Sequence, residues 1–312
     1  MIRRPLLSLT IKPRTRADQE KLANGIGRLT TEDPTLSATV DSATGEAVVS
    51  GMGEPHLEVV VDRLVREFNV EATVGRLEVV YLETVTRPAD GEGRYVRHGA
   101  GRGEYAHAKI HLYPGAPGSG YVFENNIVGS ILPTAFIKSI DTGIKQTLAG
   151  GVLSGYPIDD VRVVLYDGSY HDIDSSESSF KTAGSMAFHD AARKAKPVLL
   201  EPVMRIKVTV SEDYAAEVMS NLSTRRAEML SVDQRVGGGK RITASVPLSG
   251  ILGYSVAHGG AFTLEFEGYR PFNPGENRDA GGHSIVGAPR RPRPTLRDSH
   301  VALPEPPGDD QD

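Results

Sequence analysis

The chain has 312 residues, 35 Lys and Arg against 40 Asp and Glu, a formal net charge of -5, and neither Cys nor Trp. That balance excludes nucleic-acid binding driven by overall charge and leaves it to local patches. The missing cysteines exclude disulfides and thiolate metal sites and fit a reducing, cytoplasmic compartment. The missing tryptophans count against a stacking platform for single strands. The length predicts two or three domains. No run of about 18 apolar residues predicts a membrane span, and Met1-Ile-Arg-Arg-Pro5 runs into an alternating segment without the apolar core of a signal peptide.

Residues 5–12 alternate as a strand, and 16–29 carry Leu22, Ile26 and Leu29 at helical spacing. Strand-like runs near 35–41 and 46–50 flank a turn cluster at 41–45. A helix over 54–68 puts Val60, Leu64 and Phe68 on one face, and 70–74 reads as a last strand. The order β-α-β-β-α-β is the ferredoxin-like unit. A similar order recurs with strands near 202–210, 227–233, 240–247 and 261–267, a helix near 212–225 and a short one near 248–252.

The middle differs. Glycine-rich loops flank strands at 105–112 and 121–124. A helix is predicted from Pro133, with Phe136, Ile140, Ile144 and Leu148 on one face and a stop at Gly150-Gly151. A strand over 160–166 leads to a turn at Asp167-Gly168. Asp174-Ser-Ser-Glu177 has capping-box spacing with Asp174 as the cap. The helix behind it turns Phe180, Ala183, Ala187 and Ala191 inward and ends in the basic turn Arg193, Lys194, Lys196. Residues 273–312 are rich in Pro, Gly, Asp and Arg and poor in apolar residues, so they read as a disordered tail.

Five strings then occur in one order: GMGEPHLE at 51–58, GRGEYAH at 101–107, GVLSGYP at 151–157, LYDGSYHDIDSS at 165–176 and KAKPVLLEP at 194–202. They resemble GMGELHLE, GRGQYAH, GVLAGYP, LYDGSYHEVDSS and KAKPVLLEP of elongation factor G, and the resemblance covers about residues 5–270. It implies an α+β chain of two ferredoxin-like βαββαβ domains flanking a domain like part of ribosomal protein S5. Residues 1–76 correspond to domain III, 77–197 to domain IV and 198–270 to domain V, with 271–312 as the tail. Met1 falls near the start of domain III, so the chain reads as cut at a domain boundary.

No G-x-x-x-x-G-K-[ST] loop occurs, and Gly237-Gly-Gly-Lys240 is followed by Arg241. GTP and magnesium belong to the full-length family. This chain is expected to hold no cofactor and to be no enzyme. The resemblance implies the ribosome as partner, through ribosomal RNA, tRNA and mRNA, together with a separate GTPase half and no membrane. Its expected role supports translocation, with the domain IV tip entering the decoding region. The alternatives are a divergent regulatory or interaction module on the same scaffold, and a ribosomal protection factor.

By resemblance, His171 lies in a tip loop with Tyr170 and Asp172. An imidazole there can stack on a base or donate to phosphate. Gly101, Arg102 and Gly103 form the second tip loop, with Arg97 and His98 adding charge beside it. Glu104 stands where the family has Gln, and its carboxylate is expected to repel phosphate. Arg225 and Arg226 match a family Arg pair in domain V, where His258 lies in a loop shorter than the family's. They are the expected ribosomal RNA contacts there, against the ordinary reading of a solvated basic face. His107 and His111 have H-x-x-x-H spacing, but on a strand four residues span about 13 Å and cannot share a metal ion. Pro55 replaces a family Leu and is tolerated in a first helical turn. No catalytic or metal residue is expected.

Overall fold

The computed structural model describes residues 5–41, 44–98, 103–129, 131–235, 238–256 and 260–273. The chain divides into two units, one running to Glu78 and one starting at Val79, and each is described by itself.

The first unit runs β1 (Leu7–Pro13), α1 (Arg16–Glu32), β2 (Ser37–Val40), β3 (Ala47–Gly51), α2 (Glu54–Arg66) and β4 (Ala72–Val74). Its strands lie in the order β2-β3-β1-β4. Thr15 caps α1 by accepting from the Asp18 N–H at 3.1 Å. The predicted stripe Leu22, Ile26 and Leu29 is buried, as are Leu57, Val60 and Leu64 on α2. Pro55 sits in the first turn of α2, where no helical hydrogen bond is lost.

After the short β5 (Glu78–Val79), the second unit begins with β6 (Leu82–Val85), β7 (Ala89–Arg97), β8 (Glu104–Pro114), β9 (Tyr121–Asn125), α3 (Thr134–Gly150), β10 (Val161–Ser169) and α4 (Glu177–Lys194). The middle sheet has the order β7-β8-β10-β9, with β9 parallel to β10 across the α3 connection. Phe180, Ala183, Ala187 and Ala191 of α4 are fully buried, as predicted. The small residues let α4 approach β7 and α3 closely. A Cβ on Gly91 or Gly93 would meet the α4 backbone, and one on Gly143 would meet the Lys181 carbonyl. β6 and β7 escape the periodicity because the inward positions of β7 are glycines, which give no apolar alternation to read.

Two local expectations are corrected. Asp167-Gly168 is no turn: both residues lie in β10, where the register with β8 shifts between Leu165 and Asp167. Asp174 is no helix cap. Residues 172–174 form a turn of their own, so α4 starts later and Ser176 caps it. The Ser176 hydroxyl accepts from the Ser179 N–H at 3.2 Å, and the Ser179 hydroxyl accepts from the Ser176 N–H at 3.1 Å.

The chain continues through β11 (Pro197–Val210), a 3-10 turn (Glu212–Tyr214), α5 (Ala215–Thr224), β12 (Glu228–Gln234), β13 (Lys240–Pro247), α6 (Leu248–Ile251) and β14 (Ala261–Pro271). The last sheet has the order β12-β13-β11-β14. β11 starts five residues before the predicted strand because its first stretch pairs with β6, from Pro197 opposite Val85 to Leu200 opposite Leu82.

Glu83 of β6 is fully buried. Its Oε2 accepts from the N–H groups of Val152 and Leu153 at 2.7 and 2.9 Å, and its Oε1 from those of Ser154 and Tyr156 at 2.7 and 3.1 Å. The segment after α3 turns at Gly151, whose φ of 68° suits glycine, and wraps its amides around the carboxylate. Replacing Glu83 by Gln puts an NH2 group against two of these donors. We expect a loss of about 3 kcal/mol in urea unfolding followed by circular dichroism. An unchanged midpoint would mean the carboxylate is dispensable.

Candidate nucleic-acid interface

Three segments meet at one end of the middle sheet. They are the end of β7 at Arg97 with the start of β8 at Glu104, the β10–α4 connection through 170–176, and the stretch between the end of β9 at Asn125 and the start of α3 at Thr134. The first two are tied directly. The Tyr105 N–H donates to the Asp174 carbonyl at 2.9 Å, and the Ser175 hydroxyl donates to the Tyr105 carbonyl at 2.7 Å. A Cβ on Gly103 would come within 3.3 Å of the Asp174 carboxylate, so glycine allows this approach. The third segment joins through the Asn126 N–H, which donates to the Leu165 carbonyl at 2.8 Å, and through Leu132, which lies against Gly168.

His171 is held by its backbone and displayed by its ring. Its N–H donates to the Ser175 hydroxyl at 2.9 Å, and its carbonyl accepts from the Ser175 N–H at 3.0 Å. Nδ1 faces the N–H groups of Ile173 and Asp174 at 3.4 and 3.3 Å and accepts from them. The Asp174 carboxylate also lies 3.3 Å from Nδ1. Nε2 makes no hydrogen bond among the described residues, and the imidazole is 56% exposed, so the ring is open to a partner. Tyr170 and Asp172 beside it are exposed. Tyr170 packs against Phe136 at 5.9 Å between ring centroids.

Arg97 and His98 are exposed at the end of β7. The Glu104 carboxylate is not bare: it accepts from the Tyr95 hydroxyl at 2.9 Å and lies 3.9 Å from the Arg97 guanidinium. The bond to Glu104 is the main cause that raises the Tyr95 pKa. Repulsion of phosphate by Glu104 is therefore weakened by one hydrogen-bond donor and one nearby guanidinium. Gly101 and Arg102 lie outside the described residues.

Sequence reasoning missed the third segment. With Tyr170 it borders a cleft of about 430 Å3 lined by Asn125, Ile127, Leu132, Pro133 and Thr134. The pair Asn125-Asn126 before a glycine was the available signal, but polar turn residues mark most loops. His107 and His111 bind carboxylates rather than a shared ion: Glu92 at 2.7 Å and Asp90 at 2.6 Å. Among the described residues no group of three or more His, Cys, Asp or Glu could hold a metal.

The two arginines that follow α5 face inward. Arg226 pairs with the buried Glu201 at 2.9 Å and donates to the Ser249 hydroxyl at 3.0 Å. Arg270 joins the same carboxylate at 3.2 Å. Arg225 donates to the Gly250 carbonyl at 2.8 Å and to Asn221 at 3.0 Å, with its guanidinium 5.2 Å from the Tyr254 ring centroid. Both side chains therefore staple α5 to the α6 turn, and neither is a solvated face. His258 lies outside the described residues.

Models of elongation factor G domain III, domain IV and C-terminus match residues 2–76, 77–196 and 198–279 in succession. The chain belongs to the elongation factor G family. A crystal structure of a protein from Thermus thermophilus matches with a TM-score of 0.64 and 34% identity, over 88% of this chain and 42% of that one. The chain thus spans less than half of that relative's length. In elongation factor G terms, the three converging segments form one end of domain IV, and the Arg225–Arg226 staple lies in the C-terminal domain. No helix among the described residues is long and apolar enough to cross a membrane.

If Arg226 is structural, Arg226→Ala leaves Glu201 buried with one partner instead of two. We expect a loss of about 3 kcal/mol in chemical unfolding. A stable variant that binds RNA more weakly would support the contact role.

Proposed function

We propose that this chain is the ribosome-binding part of an elongation factor G-type protein and that it carries the lever, not the motor. Its domain IV end enters the decoding region beside tRNA and mRNA and supports translocation. The observation that supports this most is the tied end itself, where the start of β8 is hydrogen-bonded to the loop that displays the exposed His171 imidazole. Chemically, that end can donate to phosphate through His171 and Arg97 and offer Tyr170 and the imidazole to bases. Nucleotide hydrolysis is assigned to a separate GTPase half, because the sequence carries no phosphate loop. The chain itself takes no nucleotide or magnesium and performs no catalysis, and it works in the cytoplasm.

A second reading, a divergent module that no longer translocates, draws on α6, which is a single turn of four residues. A translocation assay with a GTPase half supplied in trans separates the two. Stimulation by this chain supports the lever, and none supports the divergent module.

The binding itself is tested by co-sedimentation with ribosomes across a salt series. Affinity should fall steeply with salt, and Arg97→Ala should flatten the log–log slope by roughly 0.7 to 0.9 for one lost phosphate contact. His171→Ala should weaken binding about tenfold, the loss of one outward hydrogen bond, while leaving the circular dichroism spectrum unchanged. The absence of binding at low salt would overturn the proposal.

A further inference from the structure

The two ferredoxin-like units of this chain differ in one element. In the first, the second helix is α2, with 13 residues and the buried stripe Leu57, Val60 and Leu64. In the last, the corresponding position is filled by α6, with four residues. The β11 residues Met204, Ile206 and Val208 are buried. Their partners on β14 are Phe266, Leu264 and Phe262, on the same face of the sheet. These three are 46%, 37% and 36% exposed. An apolar row that continues the core face is thus partly exposed, with Phe262 edge-on to the Tyr254 ring at 5.3 Å and Phe266 edge-on to the Tyr269 ring at 5.6 Å between centroids.

The strand that carries this row is also an edge. β14 closes the order β12-β13-β11-β14, and every residue from Ala261 to Glu267 is exposed. Its outer N–H and C=O groups offer a template about 20 Å long for another strand. The usual protections are weak here. The strand has no proline before its last residue and no lysine, and its two carboxylates are engaged on the opposite face, Glu265 by Lys207 and Glu267 by Arg205.

The row is self-complementary. Phe262, Leu264 and Phe266 read the same in both directions about Leu264. We propose that β14 is a pairing edge for a second copy of this chain, joined antiparallel about a two-fold axis at Leu264. That axis stands perpendicular to the sheet, so it keeps the apolar rows of both copies on one face. Leu264 then lies opposite its own copy, and each Phe262 lies opposite the partner copy's Phe266. On the other face, Thr263 meets Glu265, so no like charges are set directly opposite, and Glu267 lies at the register shift of β14. The two five-stranded sheets become one continuous sheet. An RNA ligand does not fit this row, because the row is apolar and its flanking charges are already paired.

The interface is small, so a concentration-dependent dimer is expected in the range of ~10–100 μM. Sedimentation velocity on the full chain up to ~500 μM, several times that range, reads it directly. Leu264→Lys should be monomeric, because two ammonium groups then meet on the axis, and so should Leu264→Glu. An equimolar mixture of the two variants should dimerise again, because opposite charges meet there. The chain has no cysteine, so Leu264→Cys gives a second readout that does not rely on disrupting the strand. It should form an oxidised dimer, whereas Leu230→Cys on the opposite edge strand β12 should not. A wild type that stays monomeric at every concentration overturns the proposal. So does a Leu264→Lys chain that still dimerises, or a charge-swapped mixture that does not.

Discussion

The second unit depends on where the Glu83 carboxylate goes. A buried carboxylate with no partner would be too costly to keep, and this one accepts four backbone N–H bonds from 152–156. The same strand carries the pairing with β11, so Glu83 fixes the chain after α3 to the base of the last sheet. Around it, the Thr84 hydroxyl donates to the Asp159 carbonyl, and the Thr86 hydroxyl donates to the Lys196 carbonyl. Tyr81 packs on Tyr156 and Phe272, with centroids 5.4 and 5.9 Å away. The middle and last sheets are therefore joined by backbone and buried polar bonds rather than by a bare linker.

The proposed lever role needs that kind of base. The far end of the middle sheet can present a loop usefully only if the sheet does not bend relative to its support. The close packing of α4 on Gly91 and Gly93 makes the sheet stiff, because no side chains separate the backbones. The loop at 170–176 is then tied to β8 through Ser175 and Asp174. Position is set from the buried carboxylate outward to the imidazole.

Most of this was legible in the sequence where apolar periodicity or a family string carried it. Both ferredoxin-like orders and the inward face of α4 followed from spacing, and the α+β class and the family from five ordered strings. β7 was hidden because its buried positions are glycines. Asp174 stood out as a cap because Asp and Ser both cap helices, and only the turn at 172–174 decides between them. Arg225 and Arg226 resemble a basic surface because nothing in a sequence shows that Glu201, 25 residues before Arg226, is buried against it. The third loop carried no residue type that marks a contact. Gly101, Arg102 and His258 lie outside the described residues, so the candidate site is drawn from His171, Tyr170, Asp172, Gly103, Arg97 and His98.

The central claim is that the domain IV end of this chain reaches the decoding region of the ribosome. The chain has no cysteine, so a single Ile173→Cys substitution in the exposed loop beside His171 can carry a tethered iron chelate. Hydroxyl radicals generated from that position on ribosome complexes should cut the small-subunit RNA at the decoding region. Cleavage confined to other sites, or none on complexes that contain the chain, would contradict the account.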